Sequence, residues 1–323
     1  MIRVKLAIND KFEIITNQFL NSDFNHIFNE INFFKLHSKS NNDLYIQLVR
    51  STDKKVFANL AFYINDFYEY VSPIRGTFGG ISAQEGIDFS LLEEFISLVI
   101  HTLTKDSFKI KIKLQPFSHN EALFSNCFNI FSRLKFFIAS NDLNYSLRVD
   151  EEEFLNKISY GNQKKLKQCL RDGFFASKLN ASRFDEAYEV IRSNRESKGY
   201  PMTMDQSDFL EMVKVFPDDI HCFAVFNPND LSMIASSICI SINSDILYVF
   251  YWGDLPRSDS YSPITLLSSC IYDFAKKSSY KIIDVGTSTI NGDPNYGLIN
   301  FKRNLGFKES IKLTLEFRGE EGK

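Results

Sequence analysis

Lys302 and Arg303 stand side by side in NFKRNLGF, Asn300 to Phe307, between apolar rings and ahead of an alternating segment. A fixed cation beside aromatic walls can hold the negative charge that develops on a carbonyl under attack. The same letters also spell a helix that stops at Gly306. A second cationic group lies in GNQKKLKQCLRDG. On a helix Lys164, Lys167 and Arg171 share one face, with Leu166, Cys169 and Leu170 on the other. Such a stripe can receive a phosphate or carboxylate, and it is equally the solvated face of an amphipathic helix. Asn194, Arg195 and Lys198 close a helix before Gly199-Tyr200-Pro201, lining a cleft or facing water.

The segment LYVFYWGD alternates as a strand, which puts Tyr248, Phe250 and Trp252 on one face and Val249 and Tyr251 on the other. Trp252 is the sole tryptophan. It ends that strand just before a loop and a helix that starts near Ser262-Pro263. Open α/β sheets present ligand sites at such strand ends, and a helix start offers free N–H groups to an anion. A core aromatic ladder would look the same. Asp284 ends the buried run IIDVG, where a carboxylate needs a partner, either a backbone loop or a cation such as Lys302 or Arg303.

Those residues need a scaffold, and the elements around them repeat. MIRVKLAI, DLYIQLV, VFANLAFYI and FYEYVS read as strands, the last two joined at Asn65-Asp66. SPIRGTFGGI follows, then a helix capped by Asp88. FKIKIKLQP alternates from Phe108 as a strand. A helix near Asn120 to Phe131 and a strand near Lys135 to Ala139 complete the first half. Strands at Phe223–Phe226, Met233–Ile240 and Ile246–Trp252 begin the second half. A helix from Pro263, the strand YKIIDVG, the NFKRNLGF helix and the strand SIKLTLEF follow. Ser72-Pro73 corresponds to Ser262-Pro263, and NIFSRLKF to NFKRNLGF. An α+β duplication results. The boundary falls where SNDLNYSLRVDEEE turns polar, giving domains 1–145 and 146–323, the latter opening with a helical segment 150–216.

Bulk properties exclude several classes. The 323 residues carry a net charge of −3, so no broad positive field for DNA or an anionic membrane exists. The most apolar run, Phe95 to Leu103, is far below the ~20 residues of a membrane span. The five cysteines form no CxxC, and the five histidines share no spacing, so a reducing, cytoplasmic setting without a metal site is expected. Walker, GxGxxG, HExxH and GxSxG motifs are absent.

The chain resembles the FemAB-like acyltransferases of the GNAT (acyl-CoA N-acyltransferase) superfamily. The likeness covers most of the sequence. It rests on SPIRGTFGGI, YGNQKKLKQCLRDGF, NRESKGYP, YSPITLLSSCIYDFAKKSSYKIIDVGTST and YGLINFKRNLGF. It implies two tandem GNAT-like lobes, each a mixed, mainly antiparallel sheet flanked by helices. It implies an acyltransferase moving an acyl or aminoacyl group from an activated ester or thioester to an amine, in cell-wall or polysaccharide/peptide modification. Lys302 matches the lysine of the family's Phe-Lys pair and would be catalytic, with Phe301 shaping the pocket. The substrate-binding set is completed by Arg303, Tyr251, Trp252, Asp284, Lys164, Lys167, Arg171, Asn194 and Ser262. The resemblance implies as donor an acyl-CoA, another acyl carrier or an aminoacyl-tRNA, and as acceptor a small molecule, glycan or peptide. Three features depart from the family. Lysines replace arginines on the basic helix, the long helical hairpin of tRNA-dependent members is not evident, and the Gln/Arg-x-x-Gly-x-Gly/Ala pattern of acetyl-CoA users is missing. A CoA-dependent N-acetyltransferase on an amino sugar or polyamine, and a non-catalytic ligand-binding module, are the competing readings.

Overall fold

The computed structural model describes residues 6–7, 10–105, 109–255 and 262–319. Residues 1–5 and Ile8 of the expected first strand, Phe108 and residues 256–261 of the loop before Pro263 lie outside them. The chain forms two compact units: residues 1–143, 289–293 and 310–323, and residues 144–288 with 294–309. Against a single division at 145/146, the last strand joins the first unit instead of the second.

The first unit contains β1 (Leu6–Ala7), β2 (Phe12–Thr16), α1 (Ile31–His37), β3 (Leu44–Arg50), β4 (Val56–Ile64), β5 (Tyr70–Ser72), β6 (Ile81–Ala83), α2 (Phe89–Thr104), β7 (Ile110–Lys113), α3 (Glu121–Arg133) and the start of β8 (Phe137–Arg148). Asp88 caps α2 by accepting from the Leu91 N–H at 3.1 Å, and Asn120 caps α3 through Leu123 at 2.9 Å. Helical spacing then turns Leu92, Phe95, Ile96 and Val99 of α2, with Phe124 and Phe131 of α3, onto Leu48, Leu60, Phe62 and Ile110 of the sheet. Phe34 of α1 packs with Tyr45, Ala61 and Tyr63. Ala61 and Phe62 are neighbours in β4 and so point to opposite faces. With both faces covered, VFANLAFYI shows little polar alternation. Around residues 73–80 the Phe78 ring lies 5.1 Å from both Phe28 and His26 and 5.2 Å from His119.

The second unit continues with the end of β8, α4 (Phe154–Lys157), α5 (Tyr160–Arg171), β9 (Phe175–Lys178), α6 (Phe184–Ser197), α7 (Gln206–Val215), β10 (Ile220–Phe226), β11 (Met233–Asn243), β12 (Ile246–Asp254), α8 (Pro263–Lys277) and β13 (Ile282–Thr287). A short ribbon of β14 (Thr289–Ile290) and β15 (Asp293–Pro294), then α9 (Tyr296–Asn304) and β16 (Lys308–Phe317), complete the chain. The strand order in this unit is β8-β13-β12-β11-β10-β9, all antiparallel except β12 with β13. Ser236 Oγ donates to the Ala187 carbonyl of α6 at 2.7 Å, while Cys239, three residues on, lies beside Cys270 of α8. An odd separation on a strand means opposite faces, so α6 and α8 sandwich the sheet.

The strand expected near Lys135 to Ala139 runs on as β8 to Arg148, its side chains alternating weakly between environments, and the division at 143/144 falls inside it, close to the expected boundary. One expectation needs correction. The segment 150–216 is not wholly helical, since β9 pairs with β10. Ser72-Pro73 opens a loop where Ser262-Pro263 opens a helix, and the first-half helix starts from its Asp88 cap as expected.

Candidate active site

The parallel pair β12/β13 is short. Ile246, Leu247 and Tyr248 pair with Ile282, Ile283 and Asp284, and the ladder ends there. Beyond it β12 stays with β11, but irregularly: Cys239 pairs with Val249 and Ile238 with Tyr251, so Phe250 is an extra residue. This is a β-bulge, which bends and twists its strand. It also corrects the expected alternation. Tyr251 now shares a face with Tyr248, and Trp252 shares the other with Val249. The strand β13 has its own irregularity between Asp284 and Thr287, where it pairs with β8. The two strands therefore part at the C-terminal end of the parallel ladder.

Each side of that gap is pinned by specific contacts. On the α6 side, Tyr251 is buried, its hydroxyl bonded to the Thr203 N–H at 3.2 Å and to the Thr203 hydroxyl. The Arg195 guanidinium sits 5.3 Å from the Tyr251 ring centroid and donates twice to the Pro201 carbonyl. Asn194 does not line an open cleft. It is buried, and its amide donates to the Asp254 carbonyl at 2.5 Å. Gly253 makes this possible, because a Cβ there would stand 2.9 Å from Asn194.

On the α9 side, Trp252 meets Phe301 edge-on at 5.8 Å and Phe307 at 6.2 Å. The helix α9 starts at Asn295, whose side chain accepts from the Leu298 N–H at 3.0 Å. Lys302 follows buried Ile299 by three residues and so faces inward with it. Only 2% of Lys302 is exposed. Its Nζ donates to the Gly286 and Thr287 carbonyls, both at 2.9 Å, and lies 5.5 Å from the Tyr145 ring centroid. Those carbonyls sit in the irregular turn of β13, so the lysine fixes the shape of that strand end. Arg303, the next residue, points out and pairs with Glu309, whose carboxyl is held below its usual range by that hydrogen bond. Asp284 is 1% exposed and accepts from the Asn144 amide at 2.7 Å and the Gly286 N–H at 2.6 Å.

Ser262 is the N-cap of α8, with its hydroxyl 2.8 Å from that of Thr265 and Pro263 as the first helical residue. Burial raises the pKa of the Cys169 thiol, which is hydrogen-bonded to the Ser262 backbone and so sets α5 beside the start of α8. The basic residues of α5 are exposed: Lys164 covers the Tyr160 ring at 4.4 Å, Arg171 lies 3.4 Å from Asp172, and Lys167 is solvated. Leu170, expected on the apolar face, is 56% exposed. The structure thus brings Trp252, Phe301, Lys302 and Asp284 to the ends of β12 and β13, with Ser262 heading the helix that follows β12. No described contact joins Lys164, Lys167 or Arg171 to them. Tyr145 and Asn144 escaped the sequence reading, since their partners lie far along the chain and no local spacing marks them.

No family model matches the sequence, and no curated protein does. Solved structures match over nearly the whole chain. FemX is 13% identical, covering 90% of this chain and 92% of its own, with a TM-score of 0.66. The chain has the FemAB-like, two-lobed GNAT fold. A structure of L-PGS from Bacillus licheniformis is 11% identical over 87% of this chain and 85% of its own, TM-score 0.54. The C-terminal domain of a putative lysylphosphatidylglycerol synthetase from Agrobacterium fabrum is 10% identical over 80% of each chain, TM-score 0.52. At these identities the likeness fixes the FemAB-like fold, α+β with tandem GNAT-like lobes, and leaves the chemistry to the site. No helix among the described residues is long and apolar enough to cross a membrane, and no group of three or more His, Cys, Asp or Glu there could hold a metal ion.

Proposed function

We propose that the protein is an acyltransferase, carrying an acyl or aminoacyl group from an activated ester or thioester to an amine, with its chemistry in the second unit. The observation that supports this best is the gap that opens between β12 and β13 after their short parallel ladder, with Lys302 fixed at its β13 side. Parting strands leave backbone N–H and C=O groups without ladder partners, and a donor with amide groups in an extended arm can supply them. The helix α8 begins beyond β12, and its first N–H groups favour a negatively charged part of the donor.

Aminolysis needs no enzyme nucleophile. The amine nitrogen forms a bond to the donor carbonyl carbon, the bond from that carbon to the leaving oxygen or sulfur breaks, and the amine loses one proton. Lys302 supplies positive charge where the carbonyl oxygen becomes negative, and in surroundings this buried such charge acts more strongly than in water. Phe301 and Trp252 form the apolar wall. Asp284 holds the backbone of the β13 turn through Gly286. The exposed lysines of α5 would add a diffuse attraction for an anionic donor. The FemX and lysylphosphatidylglycerol synthetase likenesses support an acceptor of the cell envelope.

The test is thermal unfolding with acetyl-CoA, longer acyl-CoAs, free CoA and charged tRNA. A ligand at ~100 times its dissociation constant stabilises by about 2.7 kcal/mol. A shift with an acyl-CoA or with charged tRNA names the donor. No shift with any of them contradicts the proposal for both donor classes.

A further inference from the structure

Between the strand that Lys302 grips and the helix that carries it lies Asn291-Gly292, a pair suited to a tight turn with positive φ at both central residues. The turn forms, with φ of 52° and 89°, and folds residues 289–294 into the β14/β15 ribbon. The Asn295 N–H donates to the Ser288 carbonyl at 2.9 Å, so the two ends of the ribbon meet. One end follows directly on Thr287, whose carbonyl takes the Lys302 ammonium. The other leads directly into α9. The ribbon therefore stands between the lysine and its acceptors along the chain.

A ribbon with two residues on each side is marginal at best by itself in water. Asp142 of β8 clamps it. The Asp142 Oδ1 accepts from the Thr289 hydroxyl at 2.6 Å and from the Gly292 N–H at 3.0 Å, and Oδ2 accepts from the Ser140 hydroxyl at 2.7 Å. The Thr289 hydroxyl in turn accepts from the Leu143 N–H at 3.0 Å. Burial opposes the charge on Asp142, yet the Ser140, Thr289 and Gly292 bonds lower its pKa, so the clamp is ionised and its bonds are the stronger for it. These residues belong to the first unit, and the chain re-enters the second at Pro294. The clamp also brackets the turn of β13. Asp284 pairs with Ser146 and Thr287 with Asn144, so Val285 and Gly286 stand opposite Tyr145 alone, which is a β-bulge. Asp284 fixes its near side through the Gly286 N–H. Thr289 fixes its far side by taking the Leu143 N–H. Held at both ends, the bulge keeps the Gly286 and Thr287 carbonyls on Lys302 Nζ.

We infer that Asp142 and Thr289 are positioning residues for acyl transfer, acting through Lys302 by holding the turn that aims its ammonium. This rests on the reading above that Lys302 faces the reacting carbonyl. Releasing the clamp frees the two carbonyls to shift, and the ammonium shifts with them. A displacement of ~1 Å in a catalytic group can cost ~10²-fold in rate.

Four variants of the full chain decide the matter. Asp142→Ala and Thr289→Val break the clamp, while Asp142→Asn and Thr289→Ser keep the oxygen that makes its bonds. Labelling with sulfosuccinimidyl acetate, read by peptide mass spectrometry, tests the clamp without any donor. Buried Lys302 should react slowly in wild type, at least ~10-fold faster in both breaking variants, and at the wild-type rate in the conservative pair. Lys276 of α8, which donates to the Glu151 carbonyl at 2.7 Å, should react equally in all five proteins. Wild-type labelling of Lys302 in both breaking variants would overturn the inference. A rise shared by Lys276 would be general loosening and would overturn it too. With a donor that reacts, the breaking variants should lose ~10–10²-fold in kcat at unchanged KM. Wild-type kcat in both would overturn the inference. If no donor reacts, the function reading fails, while the labelling still stands for or against the hold on Lys302.

Discussion

Acidification should destabilise the first unit measurably through one residue, His26. It is 3% exposed, among Phe28, Phe78 and His119. Burial, reinforced by the nearby His119, lowers its pKa from 6.5 to about 3. A histidine depressed in the folded state binds its proton more readily when unfolded, so stability is full above pH 6.5 and is lost as pH falls toward 3. At pH 5 the unfolded chain is almost fully protonated at this site and the folded chain is not. The loss there is about 2 kcal/mol, from ~1.4 kcal/mol per pH unit below 6.5. That corresponds to roughly 4–8 °C in melting temperature for a domain of this size. His221, depressed to about 4 by burial in the second unit, adds a parallel loss. The comparison that isolates His26 is therefore wild type against His26→Phe, which keeps a ring among the aromatics and leaves His221 in both proteins. Melting at pH 7 and pH 5 should show the variant losing about 2 kcal/mol less than wild type. Equal losses in the two proteins would refute the assignment of acid sensitivity to this buried imidazole.

Gly253→Ala should destabilise by about 1–3 kcal/mol through overpacking, because the new Cβ meets Asn194. The cost should shrink in the Asn194→Ala background, as a double-mutant cycle in urea would show. Asp284→Ala leaves the Asn144 amide and the Gly286 N–H without their carboxylate, so chemical denaturation should report a loss of about 1–3 kcal/mol for each donor stranded. Trp252 is the sole tryptophan and stands at the gap, so donor binding should change its emission. An unchanged spectrum at saturating donor would move the binding site away from β12.

Much of the architecture was legible from local signals. Asp88 and Asn120 announced their helices because a cap is a short-range device, and Asn65 announced its hairpin likewise. The repeat of elements was also visible. What failed was anything set by pairing across the chain. The alternation in LYVFYWGD predicted faces that the Phe250 bulge reverses, and a bulge leaves no mark in a strand's composition. The strand β8 was marked only at its start, near Lys135 to Ala139, because further along its partners, not its hydrophobicity, make it a strand. In the site, Lys302 and Phe301 could be singled out from their motif. That Lys302 would anchor to the Gly286 and Thr287 carbonyls, and that Asn194 would be spent on Asp254, depended on contacts between distant segments. The Lys164–Arg171 stripe shows the converse: helical spacing predicted a shared face correctly, and said nothing of whether that face meets the site.

Acyl transfer itself is measured by mass spectrometry, following the donor's acyl group onto a panel of primary amines with wild type and Lys302→Ala. Wild type should form the amide from the donor that shifts its melting. The variant should still fold and should form it ~10²–10³-fold more slowly, the usual loss when one group stabilising an oxyanion is removed. Equal rates in the two proteins, or no amide from a donor that binds, would contradict the proposal.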